Sequence, residues 1–194
     1  MPDFIPGLEL SHLFYFEAVR PLLETHFPGL LYAAGLIGPG SEVLGFDTSM
    51  SMDHNWFPNV QIFLTEQDSN LRGLIWEMLA QHLPHEFRGF PLDTIPVPGE
   101  PGTYWMQPGG TGPVQHRVYP TTVRAFVQER LAWDIRQPLE VADWMTFSSQ
   151  VLREITSGVV HYDSVGDLTA VRQQLSWYPY DIWLYLMAAC WQRI

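Results

Sequence analysis

The chain contains no lysine, and all ten of its basic residues are arginines. That absence excludes a phosphate-loop lysine and a Schiff-base lysine, so any chemistry built on either is ruled out. The single cysteine, Cys190, excludes an intrachain disulfide and a cysteine-rich metal site. It stands among Leu184, Met187 and Trp191 at helical spacing, which predicts a buried, inert thiol. No run of residues approaches the ~18–20 uninterrupted apolar positions of a membrane span. The N-terminus shows no basic region followed by an apolar run, so no signal peptide is expected and the chain reads as cytoplasmic. Internal repeats and low-complexity segments are also missing. So is the Gly-x-Ser-x-Gly elbow of a serine hydrolase site. Gly109-Gly110-Thr111-Gly112 is glycine-rich but lacks the strand-to-helix setting of a dinucleotide site.

Charge is lopsided. Asp and Glu number 21 against the ten arginines, for a formal net charge of -11. A nucleic-acid surface needs clustered Lys and Arg to displace counterions, so nucleic acid is not expected as a partner. An anionic membrane is equally poorly matched. The acidic balance suits a cationic small molecule, and it also suits an ordinary soluble protein. At 194 residues, 46% hydrophobic and 14% aromatic, the chain has room for one full domain and a bulky core.

Periodicity divides the chain as follows. Leu10, Leu13, Phe14, Ala18, Leu22 and Leu23 recur at helical spacing, predicting a helix to about Phe27 with Pro21 kinking or shortening it. Leu30 to Ile37 is an apolar run bounded by turn residues and predicts a buried strand. It leads into Gly38-Pro39-Gly40-Ser41, with a short helix expected over Ser41–Gly45. Asp53 to Leu64 reads as a second strand, carrying Pro58 at an edge or bulge. Asp68 or Ser69 caps a helix running to about Pro84. Residues 91–113, rich in Pro and Gly, read as a lid, a binding loop or a surface excursion. Val114–Tyr119 is a third strand, followed by a helix capped at Thr121 or Thr122. From Leu139 onward the pattern is helical. The last helix ends without a C-cap signal, which points either to further chain or to a partner on its apolar face, homo-oligomer formation included.

The densest chemistry lies in residues 40–55. Gly40 lets the backbone approach a ligand without a side-chain clash. The Ser41 hydroxyl and the amides opening the next turn, at Glu42, can hold phosphate oxygens. On a strand, Asp53 and Asn55 share one face, because side chains two apart point the same way. Two carboxylates in that arrangement bind Mg²⁺ and neutralise a leaving pyrophosphate. Here the second position is an amide, which offers a carbonyl oxygen but no charge. Asp53 is therefore the candidate metal ligand. A turn followed by an Asx-rich loop accounts for the same residues without chemistry.

The runs Phe4-Ile-Pro-Gly-Leu-Glu-Leu10, Gly40-Ser-Glu-Val-Leu-Gly-Phe-Asp47, Asp53-His-Asn-Trp56 and Tyr178-Pro-Tyr-Asp-Ile-Trp-Leu-Tyr-Leu186 together resemble a bacterial family of unknown function. That family is filed with the nucleotidyltransferase superfamily, near the minimal and aminoglycoside nucleotidyltransferases. The resemblance implies an α+β fold: a small mixed sheet with flanking helices over residues 1–137, followed by a helical segment over 138–194. It also implies Mg²⁺ and a nucleoside triphosphate as substrate. Asp53 and Asn55 would be at the catalytic position, and Gly40, Ser41 and Glu42 on the triphosphate. Members of the family usually read Asp-His-Asp-Trp where this chain has Asp53-His54-Asn55-Trp56. The strand implied to carry their third carboxylate corresponds to Gln115–Tyr119, with Tyr119 in place of the acid.

Three functions follow as expectations. The first is transfer of a nucleoside monophosphate to a small-molecule hydroxyl. The second is a degenerate protein that binds a nucleotide or small molecule without transfer. The third is a pocket turned to metal-independent biosynthetic chemistry. Trp177, Tyr178, Tyr180 and Trp183 either line a pocket facing the Gly-Ser loop or pack as core. His54 points away from Asp53 on a strand and reads as structural. His82 and His85 lack a third ligand. Asp47 reads as a turn residue.

Overall fold

The computed structural model describes residues 2–53 and 55–192, without the side chain of Asp53. Its centre is a four-stranded mixed sheet in the order β7-β2-β1-β8, formed by β1 (Tyr32–Leu36), β2 (Gln61–Leu64), β7 (Tyr119–Thr122) and β8 (Val159–Asp163). β1 runs antiparallel to both β2 and β8, and β2 runs parallel to β7. Helices cover both faces, so the fold is α+β.

That coverage explains why β1 reads as an unbroken apolar run. All five of its residues are buried. Alternate side chains point to opposite faces. Tyr32, Ala34, Ile62 and Leu64 join the core beneath α1 (Gly7–Phe14), α2 (Arg20–His26) and α3 (Arg72–His82). Ala33, Ile37 and Phe63 join a second core with α4 (Val123–Leu131), α5 (Val141–Thr146), α6 (Ser149–Thr156) and α7 (Asp167–Leu175). Phe63 meets Phe126 edge-on at 5.4 Å between ring centroids. Truncating a buried phenylalanine of this kind to alanine costs about 3–5 kcal/mol.

The first helix does not break at Pro21. A wide π-helical turn, Tyr15–Val19, separates α1 from α2, and Pro21 opens α2. Proline has no N–H to donate and crowds the carbonyl four residues back, and the wider turn relieves both.

Three expectations change. The second strand begins at Gln61, and the segment before it holds a 3₁₀ turn, Ser49–Asp53. The third strand begins at Tyr119 rather than ending there. The segment read as wholly helical after Leu139 contains β8, which pairs along β1. A register shift between Ala34 and Gly35 accommodates it. A Cβ on Gly35 would stand 2.5 Å from the Val159 carbonyl oxygen, so only glycine fits there.

The Pro/Gly-rich excursion is more ordered than its composition suggests. A small hairpin, β3 (Glu86–Phe87) with β4 (Phe90–Pro91), leads into it, and a second, β5 (Thr94–Pro96) with β6 (Tyr104–Met106), forms within it. Buried Asp93 holds them: it accepts from Gln115 N–H at 2.9 Å and lies 2.6 Å from His85 Nδ1. At the other end, α8 (Tyr180–Trp191) buries only Ile182. It leaves Trp183, Leu184, Tyr185, Met187 and Trp191 exposed. Cys190 is exposed as well, against the expectation of a buried thiol. No helix among the described residues is long and apolar enough to cross a membrane.

Candidate functional site

The register brings four chain segments to one end of the sheet. β1 delivers Ile37 and the Gly38–Ser41 loop, while Gln61 opens β2, Tyr119 opens β7 and Val159 opens β8. Gln61 is paired with Gly35 on one side and Tyr119 on the other. Its amide clamps the start of the loop. Nε2 donates to the Ile37 carbonyl at 2.7 Å, and Oε1 accepts the Ile37 N–H at 3.0 Å.

Two arginines flank this end. A Cβ on Gly38 (φ 103°) would come within 3.3 Å of Arg130 Nη2, so glycine leaves that approach open. The nearest carboxylate paired with Arg130 is Glu154, at a long 3.9 Å. Arg117 precedes β7 and is caged by rings. Its guanidinium carbon lies 3.5 Å from the Tyr104 centroid and 4.7 Å from that of Tyr119. The Nε atoms of Arg117 and Arg130 are buried and find no hydrogen-bond partner among the described residues. Burial pushes the Tyr119 hydroxyl up from its ordinary pKa, opposed by the charge of Arg117. Gln61, Arg117 and Arg130 were not singled out by the sequence. The one available signal was an amide at the head of an apolar strand.

The residues that the sequence did single out lie elsewhere in this neighbourhood. Gly40, Ser41 and Glu42 form a hydrogen-bonded turn, not a helix: Phe46 N–H donates to the Ser41 carbonyl at 2.8 Å and Gly45 N–H to that of Glu42 at 3.1 Å. Ser41 is exposed. The Glu42 carboxylate folds back over Gly40, in the space a Cβ there would fill. Burial pushes the Glu42 carboxyl above its ordinary range, and the charge of Asp47 adds to this.

Asp53 and Asn55 do not share a strand face. Asp53 ends the 3₁₀ turn, and its side chain lies outside the described residues, as does all of His54. Asn55 adopts a left-handed backbone (φ 53°), a conformation asparagine tolerates better than most residues. Its Oδ1 accepts the Tyr104 N–H at 2.9 Å, and its Nδ2 donates to the Gly102 carbonyl at 3.3 Å. The amide therefore ties the β5–β6 hairpin to the Asp-x-Asn segment. An aspartate could make only one of those two bonds.

Asp53 is the candidate Mg²⁺ ligand, and its side chain lies outside the described residues. Asp47 accepts from Gly7 N–H at 2.6 Å and from Trp56 Nε1–H at 3.4 Å. The amide oxygens of Asn55 and Gln61 are occupied by backbone donors. Among the described residues no group of three His, Cys, Asp or Glu is placed to hold a metal.

The aromatic run at the C-terminal end also departs from the site. A groove of about 350 Å³ is lined by Trp144, Phe147, Tyr178, Trp183 and Met187, with no residue of the Gly-Ser loop. Tyr178 packs on Trp144 at 5.4 Å, while Trp177 and Tyr180 are exposed.

Residues 144–194, spanning the second half of α5 together with α6, β8, α7 and α8, match the family model described as a domain of unknown function, DUF4037. No curated protein and no solved structure matches the chain.

Proposed function

We propose that this chain is a nucleotidyltransferase-like protein that binds a nucleotide or another phosphorylated small molecule without metal-dependent transfer. The observation that carries the reading is the charge inventory at the loop end of the sheet. The strand position facing Gly35 and Tyr119 is the amide Gln61, and its charged neighbours include Arg117 and Arg130, whose buried Nε–H groups have no hydrogen-bond partner among the described residues.

The chemistry of such a site follows from its donors. Arginine presents a planar fork of N–H groups that matches phosphate oxygens and stays charged at every working pH. In a chain of net charge -11, an arginine held by rings instead of a carboxylate keeps its charge available to a ligand. Gly38 allows the loop backbone to approach a phosphate closely, and the exposed Ser41 hydroxyl adds a donor. Tyr104 and Tyr119 offer ring faces beside Arg117 on which a base could stack. Transfer, by contrast, depends on metal-bound carboxylates stabilising the leaving pyrophosphate, and Asp47, one of the described carboxylates here, is engaged with the fold.

Calorimetric titration of the four nucleoside triphosphates tests this, run once with Mg²⁺ and once with a chelator. The expected result is binding of comparable strength in both. Arg130→Gln or Arg117→Gln should weaken it about tenfold, the scale of a lost charge-assisted hydrogen bond. Binding that requires Mg²⁺, accompanied by pyrophosphate release when small-molecule alcohols are added, would establish the transferase reading with Asp53 as the metal ligand. Absence of binding to all four would overturn the nucleotide reading in either form.

A further inference from the structure

A second cavity, of about 510 Å³, lies between the β3–β4 hairpin and β6, apart from the loop end of the sheet. Its walls are apolar and include Met52, Phe90, Pro91, Trp105 and Met106. Among the described residues that line it, Glu86 is the one charged side chain. We propose that this cavity binds a small aromatic amine, with the ring between the methionines and the ammonium on Glu86.

Both walls are preformed. Arg88 (φ 52°) and Gly89 (φ 85°) make the two-residue turn of the β3–β4 hairpin, in which both central residues have positive φ. Glu86 is then paired directly with Pro91, which puts the carboxylate and the proline ring on one face. The opposite wall belongs to the β5–β6 hairpin, which Asn55 fixes through Tyr104. A volume near 500 Å³ lies within the range of sites that enclose small molecules.

Charge selects the ligand class. Among the described residues, Arg88 of the hairpin turn is engaged by Glu17 at 2.6 Å and lies over the Phe87 ring. Glu86 forms no ion pair among the described residues. The rim is therefore negative, in a chain that is itself strongly acidic, and an ammonium is favoured over an anion. The thioethers of Met52 and Met106 favour an aromatic ring over a purely aliphatic one, since sulfur packs well at ring edges.

The test uses the full chain carrying ¹³C-methyl methionine, with the signals of Met52 and Met106 assigned through Met→Leu variants. It is titrated with 2-phenylethylamine, 2-phenylethanol and 3-phenylpropionate. The expected result is saturable shifts at Met52 and Met106. The amine should bind about threefold tighter than the alcohol, the scale of one exposed ion pair, and the carboxylate should bind weakest. Glu86→Gln should erase the preference for the amine while leaving the alcohol unchanged. The proposal is overturned if the alcohol or the carboxylate binds as tightly as the amine. It is equally overturned if the shifts appear only at Met145 and Met187 beside α8, or if Glu86→Gln keeps the amine preference.

Discussion

The Asp47 carboxylate accepts the backbone N–H of Gly7 at 2.6 Å, across forty residues of chain. Gly7 opens α1, whose N-cap is Pro6, and no side chain at the cap satisfies the helix. Asp47 supplies that acceptor from elsewhere, with its negative charge at the positive end of the helix. The same oxygen receives the indole N–H of Trp56, and Phe4 packs on the Trp56 ring at 5.7 Å. The sequence runs around Phe4, Asp47 and Trp56 thus meet in one structural knot.

Replacing this cap should therefore be costly. Asp47→Ala is expected to lower stability by about 1–2 kcal/mol, the cost of a lost helix cap. Asp47→Asn, which keeps an acceptor without the charge, should cost less. Urea denaturation with an unchanged m-value checks this. An Asp47→Ala protein as stable as the parent would mean that water replaces the carboxylate without loss.

Gln61 provides a second test, because it occupies the strand position where β1, β2 and β7 meet. Gln61→Glu keeps an acceptor for Ile37 N–H but loses the donor to Ile37 O. It also places a charge in a partly buried position. The expected cost is about 1–3 kcal/mol at neutral pH, easing as the glutamate protonates in acid. Urea midpoints measured at pH 7 and pH 5 check the sign: the deficit relative to the parent should shrink at pH 5.

Legibility in the sequence followed the strength of local signals. Leu30–Ile37 was readable as a strand because apolar residues fill both faces between turn residues, and the helix from Arg72 was readable from its spacing. β8 was missed because Val159-Val-His-Tyr-Asp163 is only half-buried and sits among strong helical patterns. Asp53 was placed on a strand because Val60, Ile62 and Leu64 alternate and the pattern was extended backward past Pro58. In the fold, that segment instead turns through a 3₁₀ helix to meet the β5–β6 hairpin. The partners of Asn55 lie nearly fifty residues away, so no local pattern could report them. Arg117 and Arg130 reach the loop end of the sheet only through the pairing of β7 with β2 and the packing of α4, which is tertiary information.

Asn55→Asp separates the structural role of this side chain from a metal role. The aspartate loses the donor to the Gly102 carbonyl and keeps the acceptor for Tyr104 N–H. The expected result is a loss of about 0.5–1.5 kcal/mol, one ordinary hydrogen bond, with no Mg²⁺-dependent gain in nucleotide binding. Thermal denaturation and a Mg²⁺ titration read the two effects independently. A gain in Mg²⁺-dependent binding would place a second carboxylate beside Asp53 and favour transfer.

His161, on β8, is a half-buried titratable group facing α1. It stacks on Tyr15 at 5.5 Å between ring centroids, shares a 3.0 Å contact with the buried Ser11 hydroxyl, and its Nδ1 is buried without a partner among the described residues. Burial, and then the neighbouring His12, push its pKa down to about 4 from an ordinary 6.5. The unfolded chain therefore takes up this proton first. Stability is complete above the unfolded value and is lost as pH falls from about 6.5 toward 4, at up to about 1.4 kcal/mol per pH unit. Across the window from pH 7 to pH 5 this amounts to roughly 2 kcal/mol. His161→Phe combined with Ser11→Ala removes the titrating ring and the hydroxyl it would orphan. Burial also holds His116 below its ordinary value, but it titrates in both proteins and cancels in the comparison. The double variant should lose about 2 kcal/mol less than the parent between pH 7 and pH 5, read from urea midpoints at both values. Equal losses in the two proteins would show that His161 is protonated in the folded state without penalty, and that the acid sensitivity arises elsewhere.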